Sequence, residues 1–410
     1  MSKLVNSFQQ APSFQHALTR RNVGEGREDV YRCVKEKIRL NIIGGALHQT
    51  IFKVEHDEMP SEIYRSAVCG SRIITASRDG CIYCVDVDQR RLPWSYQAIS
   101  PRALFYDDFE TIDFYITEDK EKLVCPSYAY ERHKIDILRF EDGACLTSLM
   151  NVDALKVALV SGLIFNQQEC IDGRKLFVWN TDGNEIADFK WENLPAFSCK
   201  PFSYDGRILI SQDSQLISFD RNGAEIKRMI LIDRIEKTAL DGSRLACSFS
   251  ESNGDLITLI DLCSWKILQD ISFQFGKEGY ILDMVMQGNW ICLKWIYLPT
   301  SHFQAWAINT VTKEQLLLLD KIDTIADFAL NDQQLIITLW PRNQPGSKIM
   351  VWDLAAGARL VRKWRCEERI KSLVFREGRL FAEGRNSVRV WDFNGLREEE
   401  EKTEVKLYRQ

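Results

Sequence analysis

No stretch of the sequence comes near the ~18 consecutive apolar residues of a membrane-crossing helix, so the expectation is a chain without a membrane span. The opening residues, MSKLVNSFQQAPSFQHAL, hold no apolar core ahead of a cleavage site, which argues against a secretory signal. Histidine is scarce: His16, His48, His56, His133 and His302 are the full set of 5, each isolated from the others. There is no H-E-x-x-H, no G-x-S-x-G and no Walker loop, and the GEG at 24–26 lacks the third glycine and the strand–helix setting of a dinucleotide loop. Neither sign of charge dominates. With 53 Lys and Arg against 58 Asp and Glu, the net charge of −5 disfavours nucleic acid, whose phosphates need concentrated cations. The reading from these absences is a non-enzyme: no catalytic residue, no metal, no cofactor, and neither a membrane nor a nucleic acid as partner.

The 12 cysteines are scattered singly through a chain with no signal core, so the expectation is free thiols in a reducing, cytoplasmic setting. Cys81 and Cys84 form one C-x-x-C. On a strand, however, residues i and i+3 face opposite sides, and no second pair accompanies them, so both read as structural.

The positive signal is a repeat. KIMVWDLAAG at 348–357 and SVRVWDFNG at 387–395 share a Val-Trp-Asp core, and other apolar runs end the same way at Asp86, Asn180 after Trp179, Asp220 and Asp261. Trp352-Asp353 and Trp391-Asp392 close the two quoted segments, while weaker units centre on Phe140 and Ala307. The eight anchors at 86, 140, 180, 220, 261, 307, 353 and 392 lie 54, 40, 40, 41, 46, 46 and 39 residues apart. That is mostly the roughly 40–45 residues of a four-stranded propeller blade. A second apolar run precedes the anchor strand, as RIITASRDG precedes CIYCVDV, with turn residues between them. Asp79 and Asp213 sit in such turns, where a carboxylate can accept nearby backbone N–H groups.

These segments resemble the WD40 repeat family, on Trp352-Asp353, Trp391-Asp392, Trp179-Asn180 and the turn aspartates; the family's Gly-His pair is absent from every unit. The first unit, SRDGCIYCVDVDQRRLPWSY, is also similar to quinoprotein-type propeller repeats. Both resemblances imply an all-β fold: a β-propeller of four-stranded blades, eight favoured over seven, at 48–410. A tail and short helix fill 1–47, the helix read from the apolar spacing of Val30, Val34 and Ile38. Ring closure needs one more strand, either EVKLYRQ at the C-terminus or, preferred, QTIFKVE at 49–55.

Function is read from the loops. In WD40-type propellers the turns between second and third strands lie on one end face, and carried onto this chain they present Arg78, Arg174, His302, Arg342 and Arg385. Trp340 opens the long loop WPRNQPGS. A mostly basic rim suits a protein partner carrying an acidic or phosphorylated peptide, though arginine is also ordinary in solvated turns. The resemblance implies a non-enzymatic scaffold or adaptor. The alternatives are a substrate receptor of a ubiquitin ligase, for which residues 1–60 show no F-box-like bundle, and a quinoprotein-like small-molecule binder.

Overall fold

The computed structural model describes residues 48–408 apart from 57–58, 61–62, 100–110, 130–131, 151, 153–156, 171–172, 187–200, 213, 223, 252–253, 273–278, 299, 332, 343 and 395–400. The helix expected within 1–47 lies outside the described residues, as does Asp213.

Along Cys81–Asp86 every side chain is buried, and successive residues serve different neighbours. Cys81, Tyr83 and Val85 pack into one apolar cluster with Phe52, Phe381, Val388 and Val390. Ile82 and Cys84 point the other way, into a cluster with Leu123, Cys125 and Leu138. A strand buried on both faces must be apolar at every position, which explains why the repeat shows unbroken apolar runs rather than alternation. The same geometry separates the two thiols of the C-x-x-C onto opposite faces. Both are fully buried and neither forms a disulfide, and burial pushes the Cys84 thiol up to about 12.

Such strands build eight antiparallel sheets, the blades of a β-propeller, spanning 63–97, 111–150, 157–180, 202–230, 235–272, 279–322, 325–366 and, for the eighth, 372–392 joined by His48–His56. The first strand of blade two is split into Thr111–Ile112 and Tyr115–Ile116, and blade three has three described strands. First strands neighbour one another around the central channel, and fourth strands lie outermost. Each apolar cluster joins two adjacent blades, and there are eight clusters among the described residues. Eight blades in a row would have seven seams; the eighth seam, between blades eight and one, closes the ring.

Closure uses both chain ends. His48–His56 pairs antiparallel with Ser387–Asp392 as the fourth strand of blade eight, the closure preferred from the sequence. Glu401–Tyr408 then adds a fifth, parallel strand outside it.

The repeated Asp or Asn is a turn cap. Asp220 Oδ1 accepts the N–H groups of Asn222 and Ala224 at 2.9 and 2.8 Å, Asn180 Oδ1 those of Asp182 and Asn184, and Asp392 Oδ1 that of Asn394 at 2.9 Å. Asp86 and Asp261 do the same for Gln89 and Cys263, while Asp353 is 1 % exposed. In the weaker units the capping residues are Asp142 and Asn309, two positions beyond Phe140 and Ala307. Each carboxylate or amide satisfies N–H groups that the tight reversal leaves unpaired.

Tryptophans fill seams. Trp391 is 2 % exposed and meets Trp364 edge-on at 5.7 Å, Trp179 packs between blades two and three, and Trp352 lies between six and seven. Trp94 donates its indole N–H to the Phe140 carbonyl of the next blade at 3.1 Å.

Candidate functional site

The turns between second and third strands share one end of the propeller with the linkers that lead from each fourth strand to the next first strand. Blades seven and eight show how these segments lock together. The linker 367–371 is the spine. Ile370 donates its N–H to Ser347 Oγ at 2.8 Å, and its carbonyl accepts the Trp340 indole N–H at 2.6 Å. Trp340 is therefore pinned by its edge at the mouth of the long loop, half-buried, with the Arg369 guanidinium 5.6 Å from its ring centroid. On the other side of the spine, the Glu368 carboxylate accepts from the Asn386 N–H at 2.6 Å and from the Ser387 hydroxyl, and stands 3.4 Å from Arg389. Gly384 leaves room for this arrangement, since a Cβ there would come within 2.4 Å of that carboxylate and push it off these partners. Gly346 ends the Trp340 loop with φ +82°, and a Cβ on it would meet the Cys366 carbonyl at 2.1 Å.

This scaffold presents three arginines on adjoining loops. Arg342 has a side chain 79 % exposed and lies 3.8 Å from Asp323; Arg369 and Arg385 are exposed. The Arg385 carbonyl accepts the Ile63 N–H at 2.7 Å, so the turn of blade eight is fixed to blade one. Of the residues picked out in the sequence, Trp340, Arg342 and Arg385 thus come onto neighbouring loops. Arg78 is exposed in the corresponding turn of blade one, where Asp79 accepts the Cys81 N–H at 3.0 Å and the Tyr83 hydroxyl. His302 is half-buried at the start of the third strand of blade six, across from Tyr297, one blade from Trp340. Arg174 lies in the strand Gly173–Asn180, and its side chain is outside the described residues.

Arg369 was missed because the segment CEERIKS joins two strands and belongs to neither apolar run of the repeat. A second repeat was also missed. A buried isoleucine opens the first strand at Ile63, Ile235 and Ile325 and stands third in it at Ile281, and a bulge follows it in all four blades. The residue after each bulge is charged: Arg65, Lys237, Asp283 and Asp327. A spacing of 46 and 44 residues between Ile235, Ile281 and Ile325 was a readable signal.

Arg65 and Asp327 among these charges tie neighbouring blades together. Arg65 pairs with Asp113 of blade two and lies 5.0 Å from the Tyr115 ring centroid. Asp327 of blade seven accepts the Leu373 N–H of blade eight at 2.6 Å, and Lys371 of blade eight donates to the Ile63 carbonyl of blade one at 3.0 Å. Burial pushes the Asp327 carboxyl above its usual range and the neighbouring Lys294 ammonium below its own. Burial likewise raises Glu383, against the opposing pull of the Ser66 hydroxyl that donates to it at 2.7 Å and of nearby Lys371 and Arg65.

Comparison with known proteins bears on the fold. No known family's sequence model matches the chain, and no curated protein matches it by sequence. Among solved structures, the computationally designed Ika8 protein superposes with a TM-score of 0.55 at 15% identity, covering 85% of this chain and 100% of that one. BamB from Moraxella catarrhalis gives a TM-score of 0.56 at 14% identity, over 80% of this chain and 93% of that one. At that identity the likeness establishes the β-propeller fold alone. Among the described residues, no helix is long and apolar enough to cross a membrane.

Proposed function

We propose that this propeller is a non-enzymatic interaction scaffold of WD40 type, acting in the cytoplasm, and that its end face at blades seven and eight captures an acidic or phosphorylated peptide of a protein partner. The observation that carries the reading is the pinned Trp340 with Arg369 stacked against it and Arg342 and Arg385 exposed on either side. A ring fixed by its N–H offers apolar area at little entropic cost, and guanidinium groups give paired, charge-assisted hydrogen bonds to carboxylate or phosphate. Binding loops on a rigid scaffold fit the division of labour seen in such folds.

The interaction reading is preferred to a quinoprotein-like one because the Asp79-Gly80 turn that suggested the latter is occupied with its own strand, through Cys81 and Tyr83. A role as a ubiquitin-ligase receptor would rest on fold analogy alone.

The test is a panel of acidic, phosphorylated and neutral peptides titrated against the full chain by fluorescence anisotropy. Acidic or phosphorylated members should bind, more weakly as salt rises, and the folded Arg342→Glu/Arg385→Glu protein should lose at least about tenfold in affinity. Equal binding of neutral peptides, or an unchanged affinity in the double variant, would sink the reading.

A further inference from the structure

The third strand of blade eight, Ser387–Asp392, runs into the C-terminal strand Glu401–Tyr408 through residues 393–400, and the two are antiparallel. In the other blades with four described strands, two strands so joined are partners in a hairpin. Here His48–His56 lies between them, paired antiparallel to one and parallel to the other. Blade eight is thus a hairpin opened by a strand from the far end of the chain.

The two strands that compete for the place beside Ser387–Asp392 carry matching residues in matching register. Thr50, Phe52, Lys53 and Val54 stand opposite Thr403, Val405, Lys406 and Leu407. TIFKV and TEVKL therefore place threonine, apolar, lysine and apolar residues at matching register positions, with Ile51 against Glu404 between them. The strand ends differ, His48 against Glu401, Gln49 against Lys402 and Glu55 against Tyr408, and within the matching stretch the chemical difference is Ile51 against Glu404. Ile51 stands directly opposite Arg389, which is 6 % exposed and whose Nε finds no hydrogen-bond acceptor among the described residues. If Glu401–Tyr408 moved in by one strand without changing register, Glu404 would stand opposite Arg389 in place of the isoleucine. Directly opposed side chains in an antiparallel pair are ~5 Å apart at Cβ, so a glutamate there would bring an acceptor to the Nε of a guanidinium whose Nη2 already faces Glu368 at 3.4 Å.

We propose that the propeller has two interchangeable closures: the fourth place in blade eight is held by His48–His56 in one state and by Glu401–Tyr408 in the other. Exchange frees His48–His56 from the sheet while the ring stays closed, which makes that strand available to a partner without unfolding the scaffold. The inference is independent of the peptide-binding reading.

The test uses the full chain with Val390→Cys and Thr403→Cys. Both positions pair with Thr50, so in the present closure they are two strand spacings apart, about 9.5 Å, beyond disulfide reach. In the exchanged closure they are direct neighbours. With oxidised glutathione, the 390–403 cross-link, identified by peptide mass, should form slowly in this background. It should rise at least about tenfold when Ile51→Pro removes a ladder hydrogen bond from the N-terminal strand. Ile51→Pro and Glu404→Pro should each leave a cooperative thermal transition, and the double proline variant should lose it. Absence of the cross-link in both backgrounds overturns the proposal, as does loss of the folded state with Ile51→Pro alone.

Discussion

Asp220, Asn180 and Asp392 show what the repeated acidic or amide residue does: its side-chain oxygen holds the N–H groups of a tight turn. Asp220→Ala should cost about 1–2 kcal/mol in urea unfolding, and Asp220→Asn, which keeps an acceptor, much less. Equal losses would show that charge matters there rather than capping. At Glu383 the carboxyl's folded value is raised by burial, so its proton favours the folded state. The stability it contributes is complete below the unfolded carboxyl range and is lost as pH rises through the folded value. Glu383→Gln, which mimics the protonated form, should therefore be more stable than the native chain near about pH 7. That gain should shrink as pH falls toward about 4, the unfolded range. A gain independent of pH would place the effect elsewhere. Thiols follow burial too. Cys84 is pushed up to about 12 and Cys125 is raised, so a thiol reagent at mildly alkaline pH should label the exposed Cys145 and Cys263 and leave those two untouched until unfolding.

Among elements, the blades are tied by cations reaching across seams. Lys122 donates to the Thr181 carbonyl of the next blade at 3.2 Å, Arg72 to the Phe140 carbonyl at 3.2 Å, and Arg379 bridges Asp392 and Asp88 at 3.0 and 2.8 Å across the closing seam. Arg379→Ala should cost about 1–3 kcal/mol, whereas Arg228→Ala, which breaks only exposed bonds to Glu225 and Gln215 within its own blade, should cost less than about 1 kcal/mol. Similar values for both would deny the seam its role. The apolar runs and their caps were legible as elements because strands buried on both faces repeat the same residue types at a regular interval. The linkers were not, since CEERIKS has neither period nor a fixed partner until two blades meet. That is why Trp340, Arg342 and Arg385 could be picked out while Arg369 could not. The bulged first strands were legible in principle, through the isoleucine spacing, but a charged residue that bonds to the next blade looks like any exposed one until the ring is closed.

For the molecule as a whole, eight seams rather than one core mean that stability and surface are distributed, and no blade is complete without its neighbours. That rigidity lets short loops on one end hold a fixed arrangement of Trp340 and three arginines. The most direct measurement of this account is amide hydrogen exchange on the full chain, with and without the best-binding acidic peptide. The account expects new protection in 323–324, 340–346, 367–371 and 384–386. Protection confined to the opposite end, at turns such as 220–224 and 261–264, or to the outer strands, would contradict it.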